Sequence, residues 1–349
     1  MTRNRVLIGI VVVLAFAAVS VWGWARLDHD GDGGHRASIR ANRGAPGAVA
    51  TPTSSPDPPP VPTTAPELAP PYPVGVVHVT VVDPTRGVAA RGGTPAAAAR
   101  ALPLTIRYPA AAGAASAVDV PDAPARRGPR ALVLFAHGLA LADHTYPRFL
   151  HDLAAAGFVV ADPEFPLSSG ALSGPARSDP VEQAADLAFV AGQLLDPATR
   201  PEPLRAVDFA DHLAVIGHSD GGITAAGFAA NSCCADPRVG AVVVLAGALG
   251  RFSGGWFTTA SPPLLVMHGT ADETNPVSSS QGVYAASPGP KRFVLVEGGS
   301  HIGAFEDDAS RPAVVTLVAD FLRASIAGDA AANARLDADS NVPGVLLPG

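Results

Sequence analysis

The chain has 349 residues, 48% of them apolar and 16% charged, with a formal net charge of −7 at pH 7. That is ample material for a core, and the acidic balance excludes a nucleic-acid partner bound by phosphate neutralisation. The two cysteines, Cys233 and Cys234, are adjacent, which excludes a metal or redox pair that needs intervening residues.

Residues 1–25 read as a targeting segment. Arg3 and Arg5 precede an uncharged, mostly apolar run from Val6 to Trp24, the pattern of export. The run is also about long enough to cross a bilayer, so a cleaved signal and a retained tether through residues 6–24 both fit. Either way the cationic start places the rest of the chain outside the membrane, secreted or anchored at the cell envelope. Residues 26–73 form a linker, dominated by Pro, Thr and Ser from Thr51 onward, a composition that favours extended chain over a packed core.

From Val74 to the C-terminus the pattern is that of a folded domain, residues 74–349. Val76–Val82 and Leu102–Tyr108 read as an early strand pair, and Ala131–Phe135 as a strand buried on both faces. A helix over Phe149–Ala156, a strand at Phe158–Ala161 and a helix over Pro180–Leu195 follow. Leu213–Ile216 is a strand, Ile223–Ala230 a helix and Ala241–Leu245 a strand. Strands at Leu264–Met267 and Phe293–Val296 precede a closing helix over Ala313–Ile326. Alternating strands and helices predict a mostly parallel sheet covered by helices on both faces, with the ligand site at the carboxyl ends of the strands. Cys233 and Cys234 fall just after the helix over Ile223–Ala230. A disulfide between neighbours has strained geometry, so two unbonded small residues are the expectation there.

The sequence Gly217-His218-Ser219-Asp220-Gly221 stands between a buried strand and a helix. A strand-to-helix turn at that point is tight, and the flanking glycines remove side chains that would collide. Ser219 is then the candidate nucleophile. It needs a base, and His301, on the glycine-rich loop Gly298-Gly299-Ser300-His301 after the last of the parallel strands, is placed to serve. Asp272, after the strand Leu264–Met267, is the acid that would orient the imidazole. Asp307 and Asp308 are rivals, but they follow the histidine at a helix start, where carboxylates cap favourably. Backbone N–H groups of Leu139 and Asp220 are candidates for the oxyanion hole. His144 is a candidate substrate contact, as are Trp256 and Phe257, which would line an acyl pocket or else cover the core edge. His218 is expected to pack beneath the elbow, and His137 and His268 to bond backbone at strand ends.

Ser219, Asp272 and His301 in that order, with His137-Gly138 closing a strand, resemble the α/β-hydrolase superfamily over about residues 74–349. LPLTIRYP from Leu102 and HGTADETNP from His268 are similar to its branch of dienelactone-hydrolase-like, platelet-activating-factor-acetylhydrolase-like and polyester-hydrolase enzymes. The resemblance implies an α/β-hydrolase fold and serine carboxylic-ester hydrolysis through an acyl-enzyme, without cofactor or metal. The expected partner is a small-molecule, lipid or polymeric ester. Ser219 replaces the cysteine of dienelactone hydrolases proper, which directs away from their substrates. Ala246–Pro263 is too short for a large lid, so an open site is expected. An envelope acyltransferase with the same triad, or a non-catalytic binding protein that keeps the fold, are the other classes this sequence admits.

Overall fold

The innermost parallel strands of the central sheet are apolar runs whose side chains are covered on both faces. In the computed structural model, β1 (Val74–Asp83) and β2 (Arg100–Pro109) form the antiparallel pair read from the sequence, in register from Val74 opposite Pro109. The short strands β3 (Val120–Pro121) and β4 (Gly128–Arg130) lead to β5 (Leu132–Ala136), then α1 (Pro147–Ala155), β6 (Val159–Pro163) and α2 (Pro180–Leu195). After β7 (Val207–Phe209) come β8 (Leu213–His218), α3 (Asp220–Ala230), β9 (Val239–Leu245) and β10 (Leu264–Gly269). The C-terminal part adds α4 (Val277–Ala286), β11 (Lys291–Val296), α5 (Gly303–Glu306), α6 (Arg311–Ala327), α7 (Ala330–Ala338) and β12 (Val345–Leu346).

The structure describes residues 71–91, 94–172, 175, 179–258, 260–338 and 345–346, all within one unit, Val61–Gly349. The targeting segment 1–25, and the linker as far as residue 70, lie outside the described residues. Pro71 to Pro73 already belong to the fold, since the Tyr72 N–H donates to the Ala155 carbonyl at 2.9 Å. Among the described residues no helix is long and apolar enough to cross a membrane.

The main sheet runs in the order β12-β11-β10-β9-β8-β5-β6-β2-β1-β3. β5, β6, β8, β9, β10 and β11 are mutually parallel, while β2 is antiparallel to both neighbours. Every residue of β5, β8 and β10 is buried, as a parallel sheet covered on both faces demands. One face packs on α2 and α3 through Leu187, Val190 and Phe228. The other packs on α1 and α6 through Phe149, Leu153, Val318 and Leu322.

The Pro180–Leu195 helix has the bounds the pattern predicts, and the other predicted elements differ from the structure by a few residues at their ends. α4 and α7 are absent from the sequence reading. Only Ser280 and Val283 of α4, and Ala332 and Leu336 of α7, are buried, too few to draw a helical apolar stripe.

One expectation fails. Cys233 and Cys234 are joined by a disulfide, just past the end of α3. The turn is fixed by the Asn231 side chain, which accepts from the Cys233 N–H at 3.1 Å and donates to the Gly254 carbonyl at 3.1 Å. Sequence neighbours closed into a ring need such a turn, and this tertiary contact supplies it.

Candidate active site

The site is assembled where β5, β8, β10 and β11 end. β8 stops at His218 and α3 begins at Asp220, leaving Ser219 alone to make the turn, with φ 57° and ψ −122°. This is backbone that a side chain rarely adopts, and it persists only where the surroundings over-determine it. Here they do. The Ser219 N–H donates to the Leu245 carbonyl at 2.9 Å. A Cβ on Gly221 would lie 2.0 Å from the Ala136 carbonyl oxygen, and one on Gly217 the same distance from that of Gly221. Only glycine permits strand and helix to approach so closely. The serine is held out of the core, half-buried, with the N-terminus of α3 behind it.

Asp272 and His301 come from the loops after β10 and β11. Their loops are stitched together: Thr270 N–H to the Val296 carbonyl (2.9 Å), Ala271 N–H to the Gly299 carbonyl (3.0 Å) and Gly298 N–H to Thr270 Oγ1 (2.8 Å). His301 Nδ1 then lies 2.7 Å from Asp272 Oδ2. The other oxygen, Oδ1, accepts from the Thr274 and Asn275 N–H groups, both at 2.8 Å. Burial opposes ionisation of Asp272, but the bonds from His301, Asn275 and Thr274 outweigh it and hold the carboxyl below its ordinary pKa. A carboxylate facing Nδ1 fixes the proton there, so Nε2 carries the lone pair. Neither Ser219 Oγ nor His301 Nε2 makes a hydrogen bond among the described residues. Catalytic bonds of this type commonly tighten only with substrate in place.

Three residues not assigned to the triad support it. His268 Nε2 lies 3.1 Å from Asp272 Oδ2 and 3.1 Å from the Asn275 carbonyl, while Nδ1 meets Ser280 Oγ at 2.7 Å. It therefore braces the acid as well as the backbone. His218 is fully buried, as expected, yet it does more than fill space. Its Nε2–H donates to the His301 carbonyl at 2.9 Å, which leaves Nδ1 to accept from Tyr146 Oη at 2.8 Å. Tyr146 Oη in turn accepts from the Gly138 N–H at 3.2 Å. Desolvation, with the charge of His301 adding, pushes His218 down to about 3, so it stays neutral.

The loop after β5 faces the serine. A Cβ on Gly138 would lie 3.1 Å from Ser219 Cβ, tighter than ordinary van der Waals contact. The next N–H, that of Leu139, makes no hydrogen bond among the described residues. Asp220, whose N–H is the other expected donor, opens α3 immediately after Ser219. His137 anchors the strand end: Nδ1–H donates to the Gly138 carbonyl at 2.8 Å, and Nε2 accepts from the Phe165 N–H at 3.1 Å. Burial lowers it to about 4.

The substrate-contact candidates fare differently. His144 is exposed on the short turn Asp143–Thr145, and it is Tyr146, one step past that turn, that reaches inward. Trp256 and Phe257 do not join the site. Trp256 is bridged to Asn231, and the Phe257 N–H donates to the Ala230 carbonyl at 2.8 Å. Both therefore sit at the C-terminal end of α3, about 16 Å along the helix from Ser219, where they cover the core with Phe252. Asp307 and Asp308 lie past α5 and take no part in the His301 pair. The described residues between β9 and β10 form no helix, consistent with an open site. No group of three metal-ligating side chains occurs among the described residues.

A family model described as Chlorophyllase matches residues 107–266, a span that carries Leu139 and Ser219 and stops short of Asp272 and His301. In three dimensions the chain is similar to a ferulic acid esterase from Streptomyces cinnamoneus, with TM-score 0.54 and 20% identity over 76% of this chain and 93% of that one. That likeness shows an α/β-hydrolase fold. Two curated proteins are similar over shorter stretches, both named uncharacterized protein YfhR. The one from Escherichia coli O157:H7 is 37% identical over 67 residues, 18% of this chain and 24% of that one. The one from Escherichia coli strain K12 is 42% identical over 53 residues, 15% and 19% of the two chains. The matched segment thus spans about a quarter or less of these relatives.

Proposed function

We propose that the protein is a serine carboxylic-ester hydrolase acting outside the membrane through an acyl-enzyme on Ser219. The observation that carries this reading is the pairing of a strained serine turn with an ionised Asp272 bonded to His301 one loop away. Ser219 Oγ attacks the ester carbonyl as His301 Nε2 takes its proton. The tetrahedral oxyanion is held by the Leu139 and Asp220 N–H groups. Its collapse expels the alcohol, which takes the proton from His301; water then attacks the acyl-enzyme by the same steps. Asp272 keeps the imidazole in the reacting tautomer and stabilises its cation.

The described residues between β9 and β10 form no helical lid, which favours esters of bulky or exposed acyl groups, in line with the Chlorophyllase model and the ferulic acid esterase fold match. Action outside the membrane is supported by the N-terminal pattern and by the Cys233–Cys234 disulfide, a bond that persists in oxidising compartments. Reaction of the protein with a fluorophosphonate probe, followed by peptide mapping, tests the assignment. A single adduct on Ser219, abolished by Ser219→Ala, is expected. A folded protein that takes up no probe would refute it.

A further inference from the structure

At the opposite end of the sheet, where β5 and β6 begin, lies a cavity of about 300 Å³, within the range of small-ligand pockets. Its walls are mainly apolar, with Ala131, Phe158, Leu322, Ile326 and Ala327 contributing. Three arginines, Arg130, Arg323 and Arg335, also line it, in a chain whose net charge is −7. Two of them are accounted for. Arg323 donates to the Ala156 carbonyl (2.7 Å) and to Asp320 (3.3 Å), and Arg335 is bonded to Asp320 through two nitrogens, both at 2.7 Å. Asp329, the acid at the rim, accepts from the Ala331 and Ala332 N–H groups at 2.9 and 3.0 Å and is occupied at the start of α7.

Arg130 differs. Its Nη1 donates only to the carbonyl of its neighbour Pro129 at 2.7 Å, and its Nε is buried with no hydrogen-bond partner. The guanidinium stands 5.4 Å from the centre of the Tyr72 ring, and Arg126 stands 5.0 Å from the same ring. Two cations thus flank one aromatic side chain, and among the described residues no carboxylate is bonded to Arg130. Desolvation, with repulsion from Arg126, lowers the Arg130 pKa, as expected of a cation without a counter-ion. A buried donor and an uncompensated charge are costly unless something pairs with them.

We propose that this cavity is a second binding site, for an amphiphilic monocarboxylate. Its anionic head pairs with Arg130 and its short hydrocarbon body lies against Phe158, Leu322 and Ile326. Arg is suited to the head because its planar fork matches a carboxylate, and the apolar wall supplies the remaining affinity by burial. The site lies about 17 Å from the candidate active site along the five residues of β5, and its occupancy does not depend on Ser219.

Titration calorimetry of octanoate into the full chain tests this. The expected result is saturable binding, weakened tenfold or more by Arg130→Gln and by Ala327→Leu, which fills the cavity from an exposed position. Acetate and octanol, each lacking one half of the ligand, should bind at least tenfold more weakly than octanoate. Ser219→Ala should bind octanoate as the unmodified chain does, and both cavity variants should keep its melting temperature and any ester hydrolysis. No octanoate binding, equal binding of octanol, or binding unchanged in both cavity variants would overturn the proposal.

Discussion

Tyr146 Oη and His218 Nδ1 lie 2.8 Å apart in the core and, through one bond further on each side, join the backbone of Gly138 to that of His301. The loop after β5, the serine turn and the histidine loop are therefore held by a single buried chain of donors. Its proton order is determined from one end, because a carbonyl can only accept. In Tyr146→Phe the Gly138 N–H and His218 Nδ1 both lose their partner. Stability should fall by about 1–3 kcal/mol for a buried polar group left unpaired, read by urea denaturation, and kcat should drop more than KM changes. A variant with unaltered stability would show that water substitutes for the hydroxyl.

Asp272→Asn tests the acid. The amide keeps the size of the side chain but no longer dictates that the His301 proton sits on Nδ1. We expect kcat to fall roughly 10³–10⁴-fold with KM and the circular-dichroism spectrum little changed. Activity that survives would move the role to another carboxylate.

The turn at Ser219 carries a cost that glycine would remove. With φ at 57°, Ser219→Gly should be more stable than Ser219→Ala by about 1 kcal/mol, both variants being inactive. Thermal melts of the pair measure it. Equal melting temperatures would mean that the serine backbone is unstrained.

His218 also makes a pH prediction. Its folded pKa is pushed down to about 3, against about 6.5 in the unfolded chain. Above pH 6.5 both states are neutral and the group is silent. Below it the unfolded state takes up a proton that the folded state refuses, so stability is lost as pH falls. Buried carboxyls whose pKa is raised by desolvation, Asp162 and Asp186 among them, act with the opposite sign, so the informative quantity is a difference. Between pH 6 and 5 the unmodified protein should lose about 1 kcal/mol more than His218→Gln does. Parallel stability curves would show that His218 is not held neutral.

Much of the fold was legible in the sequence because its signals are local. A parallel strand buried on both faces is a continuous apolar run, as at Leu132–Ala136 and Leu264–Gly269, and a helix such as Pro180–Leu195 repeats its apolar residues at its own period. The serine turn was legible for a similar reason, since the glycines at 217 and 221 report a close approach of strand and helix. Asp272 and His301 were found by their place after successive strands. Other features depended on how distant segments meet. Nothing near Tyr146 indicates that it will reach His218, 72 positions away, and His268 braces Asp272 only because the loop after β10 turns back on itself. Trp256 and Phe257 read the same whether they line a pocket or seal a core. The pairing of the loop after β9 with the C-terminal end of α3, at Ala230 and Asn231, decided between the two. The Cys233–Cys234 bond likewise required a turn that Asn231 and Gly254 fix from separate parts of the chain. Periodicity determines which faces are buried; side-chain encounters across loops are determined by packing, and only the tertiary structure contains that information.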